Sequence, residues 1–190
     1  MTQPLPPSPP NPWVTKSSET VYENPWMRVE ANPVELPDGS EGVYGVVRFK
    51  NCAVGIIPYQ DGKIWMVGQT RYALDQYSWE IPEGGVPEGE DMIEAARREL
   101  KEETGLTADT LTHLFDVHTS NSITDEWGQI YLATGLREGE TEPEGSEDIS
   151  QLKLTLEDAI AHIEAGRITD CMTIAAVYKL RLLQISGELD

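Results

Sequence analysis

Three glutamates, Glu99, Glu102 and Glu103, lie within the single run Arg98-Glu99-Leu100-Lys101-Glu102-Glu103. On an α-helix, at about 100° per residue, Glu99 and Glu103 fall roughly 40° apart and flank an apolar stripe. Glu102 lies roughly 100° further round, towards solvent. Two carboxylates at i and i+4 repel each other by about 0.2–0.5 kcal/mol when exposed. Beside a buried face the penalty grows unless a cation sits between them. A hard divalent ion, Mg²⁺ or Mn²⁺, suits such an all-oxygen donor set. The alternative for a bare E-x-x-E-E is a solvated acidic helix face, so the surrounding spacing has to decide.

That spacing is informative. Gly84 and Gly85 end a strand-like run, and the stretch Gly84–Leu106 reads GGVPEGEDMIEAARRELKEETGL. Glu88, Glu90 and Asp91 supply negative charge where the positive end of a helix dipole is expected. Gly105 stands where a left-handed cap ends the helix. Between them Ile93, Ala96 and Leu100 recur at i, i+3 and i+7, which predicts one apolar face on a helix over about 90–104. Gly84, five residues, Glu90, seven residues, then Arg98-Glu99-Leu100-x-Glu102-Glu103-x-Gly105-Leu106 matches every fixed position of the Nudix box. The chain therefore resembles the Nudix hydrolases, and so many fixed positions make the signal far more specific than a lone glycine motif.

The resemblance implies pyrophosphate hydrolysis with Mg²⁺ as cofactor, Mn²⁺ being the alternative. Such a reaction needs the phosphate charge neutralised, a water activated and the substrate held in line. By resemblance Glu99 and Glu103 are the principal metal ligands, and Glu102 assists or ligates through water. Glu102 and Glu103 are also expected in catalysis. Arg98 orients the glutamates, and Glu90 acts behind them or at the helix start. The carbonyl of Glu83 is a further candidate ligand, and Gly84 and Gly85 let the backbone approach the metal.

Outside the box, Gln69 and Arg71 form a Q-x-R at a strand end, and an arginine in an acidic protein is a good phosphate ligand. Relatives that hydrolyse ADP-ribose and nucleotide sugars carry a similar Q-x-R followed by W-E-x-P-x-G, here Trp79-Glu80-Ile81-Pro82-Glu83-Gly84. Arg71 is thus expected to bind substrate. Glu80 is expected either to line the nucleoside pocket or to hold an arginine. In those relatives a long N-terminal strand unit helps form a homodimer and part of the substrate site. Two departures stand out. ADP-ribose hydrolases commonly carry a proline in a loop beyond the box, whereas this chain has Ser122 and Ile123 there and keeps Thr124-Asp125-Glu126. This widens the expected substrate from ADP-ribose to nucleoside diphosphate sugars generally. Relatives also use a loop glutamate as metal ligand or general base. Glu147 matches that position best, and Glu144 is an alternative because Gly145 replaces a second glutamate.

The rest of the chain supplies the frame. Residues 1–16 form a Pro-rich tail, with six prolines in residues 1–12, expected to be disordered. Residues 17–50 alternate loosely around a PDGS turn and are expected to form an antiparallel β unit. Its Trp26, Tyr44 and Phe49 pack in a core, at an interface, or on a planar base. Residues 51–190 are expected to form the hydrolase domain. Within it a hairpin is predicted over 52–71, strands over 77–85, 111–119 and 128–136, an acidic loop over 138–148, and helices over 155–166 and from about 169 to 185. His118, at a strand end, has the reading of a structural residue. Interleaved strands and helices indicate an α/β protein with a mixed sheet, and the resemblance implies the Nudix α/β/α sandwich.

Composition narrows the partners. Fourteen basic and 33 acidic residues give a formal net charge of −19, which disfavours nucleic acid or an anionic membrane as partner. Cys52 and Cys171 lie far apart in apolar runs and read as buried free thiols of a reducing compartment. No run has the length of a membrane helix, and no basic-then-apolar leader is present, so the cytoplasm is the expected location. The expected activity is metal-dependent cleavage of a nucleoside diphosphate sugar or ADP-ribose into a nucleoside monophosphate and a sugar phosphate. The alternatives are a Nudix hydrolase of dinucleoside polyphosphates or other nucleotides, and a non-catalytic nucleotide-binding module.

Overall fold

The structure is a computed structural model and describes residues 3–140 and 148–189. The chain divides into two compact units, residues 1–50 with 122–125, and residues 51–121 with 126–190.

The first unit is an antiparallel sheet built on β3 (Met27–Glu35). Strands β1 (Val14–Thr15) and β2 (Glu19–Glu23) pair with one edge of β3, and β4 (Glu41–Phe49) pairs with the other along its whole length. The predicted PDGS turn joins β3 to β4. Asp38 Oδ1 accepts from Ser40 N at 2.9 Å, and Gly39 takes a positive φ of 82°. The segment Ser122–Asp125 belongs to this sheet. Val47 N donates to the Ile123 carbonyl at 2.9 Å, and the Phe49 amide donates to Asp125 Oδ1 at 3.0 Å.

The second unit is a mixed sheet in which two strands part company. β5 (Cys52–Gln60) and β6 (Lys63–Arg71) form the predicted hairpin, but they pair only at Tyr59–Ile64 and Gln60–Lys63. Beyond that, β5 takes β10 (Trp127–Glu138) in parallel, and β9 (Leu106–His118) continues that side. β6 takes β11 (Ser150–Thr155), a strand absent from the sequence reading. Where β5 and β6 diverge, the predicted strand over 77–85 enters and is itself split. β7 (Gln76–Glu80) pairs with β6, and β8 (Glu83–Val86) pairs with β5. The break falls at Ile81-Pro82, because proline has no N–H to offer a ladder. This junction sets the end of β7 against β6 and the start of β8 against β5.

Helices cover both faces. α1 (Met92–Thr104) lies over Val54, Ile56, Tyr131 and Ala133. On the opposite face, α2 (Leu156–Glu164) and α3 (Cys171–Ser186) cover Ile57, Met66, Ile130 and Leu132. Adjacent residues such as Ile56 and Ile57 thus feed opposite cores, as the pleat of a strand buried on both faces requires. This is the expected α/β/α sandwich with a mixed sheet. The expected burial of the two thiols is corrected: both are free, but Cys52 is only half-buried and Cys171, the first residue of α3, is exposed. No helix among the described residues is long and apolar enough to cross a membrane.

Candidate active site

The box helix begins where the acidic turn predicts. Asp91 caps it, accepting from the Ile93 amide at 2.9 Å and the Glu94 amide at 3.3 Å. Gly105 ends it with a φ of 71° and donates to the Lys101 carbonyl at 2.8 Å. The buried stripe is Ala95, Ala96, Glu99, Leu100, Glu103 and Thr104. The predicted apolar face is corrected here. Ile93 sits at the edge of the stripe in the first turn and is exposed, while Ala95 takes the buried place. Glu99 and Glu103 are therefore part of the buried face, at 9% and 4% exposure. Two carboxylates are held there because partners compensate their burial.

Arg98 is the hub of that compensation. Its Nε and Nη2 take both oxygens of Glu90 at 3.1 and 2.9 Å. Its Nη1 donates to Glu99 Oε1 at 2.6 Å and Glu102 Oε2 at 3.0 Å, and Nη2 also reaches the Gly85 carbonyl at 3.1 Å. One planar guanidinium thus fixes three carboxylates and the strand before the helix. The bond to Glu90, with the charges of its neighbours, pushes the Arg98 pKa up, and Arg98 in turn lowers that of Glu90. Gly84 leaves the space that Glu99 fills. A β-carbon at residue 84 would collide with the Glu99 carboxylate.

The segment before the box closes the site. The Glu83 amide donates to Glu103 Oε2 at 3.0 Å, and Gln151 Nε2 donates to the Glu103 carbonyl at 2.8 Å. Arg71 is already paired with carboxylates through two of its nitrogens. Its Nε donates to both oxygens of Glu80 at 3.0 Å, and its Nη2 donates to Glu80 Oε2 and, at 2.8 Å, to Glu83 Oε1. Of the two readings of Glu80, the structure has it holding an arginine. Burial opposes the charge on Arg71, but Glu80, Glu83 and Glu103 outweigh that and raise its pKa. Burial, aided by Asp170 and Glu80, pushes the Glu83 carboxyl well above the usual range.

Asp170 completes a group that no local sequence signal marks. It caps α3, its Oδ2 accepting from the Thr173 amide at 2.6 Å. One oxygen each from Glu80, Glu83 and Asp170 lie within 4.8 Å of one another. The donor chemistry around the junction fits a hard divalent cation. It consists of oxygens alone, carboxylates outnumber the two guanidiniums, and buried Glu83 Oε2 has no hydrogen-bond partner. Glu147 and its alternative Glu144 lie outside the described residues. Glu126 accepts from Thr119 Oγ1, and Asp125 belongs to the sheet of the first unit.

A carboxylate-lined helix, two glycines at its entry and an arginine aligning the glutamates define a site for phosphoanhydride chemistry. The NUDIX domain model matches residues 50–171, and the chain belongs to the Nudix family. It is an enzyme of that family, a pyrophosphatase-type hydrolase. A second model, the nucleoside diphosphate sugar hydrolase N-terminal domain, matches residues 13–47. Among curated relatives, the methanol dehydrogenase activator of Bacillus methanolicus is 34% identical over 170 residues, covering 88% of this chain and 92% of that one. The ADP-ribose pyrophosphatase of Bacillus subtilis is 33% identical over 170 residues, with the same coverage of 88% and 92%. A solved structure described as an ADP compounds hydrolase superposes with a TM-score of 0.83 at 25% identity, covering 93% of this chain and 97% of that one.

Proposed function

We propose that the protein hydrolyses the pyrophosphate bond of ADP-ribose or a related nucleoside diphosphate sugar, releasing a nucleoside monophosphate and a sugar phosphate. The observation that carries this reading is the meeting of the box carboxylates with the Arg71–Glu80–Glu83 group at one strand junction. The names of full-length relatives, an ADP-ribose pyrophosphatase among them, support the substrate class.

Glu99 and Glu103 would hold Mg²⁺ or Mn²⁺, with Glu102, the Glu83 carbonyl and Glu147 as further ligands. When bound, the ion neutralises phosphate charge and acidifies an attacking water. Arg98 keeps Glu99 and Glu102 aligned before any ion arrives, which limits reorganisation during the reaction. Glu80 and Glu83 occupy Nε and Nη2 of Arg71. In this reading Nη1 is the donor left for a diphosphate oxygen. The proton of the attacking water passes to a glutamate, and Glu102, Glu103 and Glu147 are the candidates. Residues 17–50 are assigned to dimer formation and substrate selection, residues 51–190 to hydrolysis, and the protein to the cytoplasm. Exposed Val21, Tyr22, Trp26 and Val43 on the first unit motivate the homodimer. A monomer mass by light scattering at micromolar concentration would count against it.

The activity is tested with ADP-ribose, ADP-glucose, GDP-mannose, UDP-glucose and a dinucleoside polyphosphate, each with Mg²⁺ and with chelator. The expected result is turnover of ADP-ribose or another diphosphate sugar, with the monophosphate and sugar phosphate as sole products and none in chelator. Exclusive turnover of the dinucleoside polyphosphate would transfer the assignment to that class. Tight binding without turnover would favour a non-catalytic module.

A further inference from the structure

The Ile81-Pro82-Glu83 segment carries backbone groups that the site depends on, and Ile81 and Pro82 lie between β7 and β8, with Glu83 opening β8. It is pinned at three successive points. The Ile81 amide donates to Thr173 Oγ1 at 2.9 Å, the Pro82 carbonyl accepts from the Ile56 amide at 2.8 Å, and the Glu83 amide donates to Glu103 Oε2 at 3.0 Å. Two of these anchors come from elements already tied to the box or its sheet. The third comes from α3, 92 residues away in sequence.

Thr173 is fully buried, and its hydroxyl is the side-chain acceptor for an amide that has left the β6 ladder. A buried amide without a partner is strongly disfavoured, so the segment is held where that hydroxyl lies. The same residue gives its own amide to Asp170, whose carboxylate groups with Glu80 and Glu83. A shift of Thr173 therefore reaches the site through both the backbone before Glu83 and the carboxylate beside it.

We infer that Thr173 is a positioning residue for the metal site, fixing the Glu83 carbonyl and amide from a helix that supplies none of the expected box ligands. This rests on the metal-dependent reading above. Partners that orient ligands from behind typically matter to metal affinity nearly as much as the ligands themselves.

The test uses the full chain as wild type, Thr173→Val, Thr173→Ser and Val177→Ala. Valine keeps the shape of threonine without the acceptor, and serine restores the acceptor. Val177 is buried on the same helix, so its truncation reports loss of packing alone. Free Mn²⁺ is read by electron paramagnetic resonance, the melting temperature by calorimetry, and the Mg²⁺ dependence of ADP-ribose turnover by product release. Thr173→Val is expected to weaken Mn²⁺ binding about tenfold and to raise the half-saturating Mg²⁺ concentration similarly. Its KM for ADP-ribose at saturating Mg²⁺ is expected to stay within about twofold of wild type. Thr173→Ser is expected to bind Mn²⁺ like wild type, and Val177→Ala to lower the melting temperature without weakening Mn²⁺ binding. Wild-type affinity in Thr173→Val, or equal weakening in Val177→Ala, overturns the inference. Thr173→Ala replaces the valine variant if that fails to fold, and failure of both makes Thr173 a folding residue and overturns it too. Wild type that neither binds Mn²⁺ nor needs Mg²⁺ overturns the metal-dependent reading itself.

Discussion

Arg98 and Glu30 represent two ways of keeping a carboxylate ionised while much of it is buried. Arg98 shares one guanidinium among Glu90, Glu99 and Glu102, in a site expected to meet a cation, and its bond to Glu90 lowers the pKa of that carboxyl. Glu30, in the other unit, receives two arginines, Arg28 Nε at 2.8 Å and Arg48 Nε at 3.1 Å. The bond from Arg48, aided by Arg28, outweighs burial and holds the Glu30 pKa below its ordinary value. A carboxyl whose folded-state pKa is lowered stabilises the fold above its unfolded value, about 4.3, and loses that contribution as pH falls through the folded value. Protection factors of β3 and β4 amides, corrected for the intrinsic exchange rate at each pH, are therefore expected to fall as pH is lowered from 6 towards ~3, and Glu30→Gln to flatten that dependence. An unchanged profile in the variant would remove Glu30 as the cause. The Arg98 cluster was legible in sequence because its members lie within one turn of each other or at the helix start. Asp170 and Thr173 were not. They sit at the start of a later helix, and only the packing of α3 across the sheet brings them beside Glu83.

Among the elements, those that announce themselves locally matched their expected spans best. Asp91 and Gly105 bound α1 with a side-chain cap and a left-handed residue, both readable in sequence. The 52–71 hairpin followed from an Asp61-Gly62 turn between apolar runs, and both residues adopt positive φ. β11 has no clear local signal, because Ser150–Thr155 is short and follows an acidic stretch; its place is fixed by pairing with β6 from Gly68 to Lys63. The β-forming residues of Tyr77–Ile81 predict a strand running on to Gly85. Pro82 turns it into two short strands on different partners. The split matters more than its length suggests. It releases the Ile81 amide from sheet pairing to meet Thr173, and it sets the Glu83 amide, at the start of β8, against Glu103.

At the scale of the whole molecule, the chain concentrates acidic groups that its own arginines only partly offset. A net charge of −19 would repel a nucleoside diphosphate unless bound metal and a few arginines reverse the local field. The described site supplies Arg71 and Arg98 within a ring of carboxylates, and Glu83 Oε2 is left buried without a hydrogen-bond partner. That distribution supports the proposed metal-dependent mechanism, in which groups outside the box would choose the substrate. The substrate was the least legible property, because Q-x-R and the departures at Ser122 and Gly145 constrain it only by likeness. The most direct test is Mg²⁺-dependent ADP-ribose turnover in Glu103→Gln, which removes one charge and keeps the shape of the side chain. Turnover is expected to fall at least about a hundredfold while circular dichroism and melting remain those of a folded protein. A folded Glu103→Gln variant with near-wild-type turnover would contradict the account.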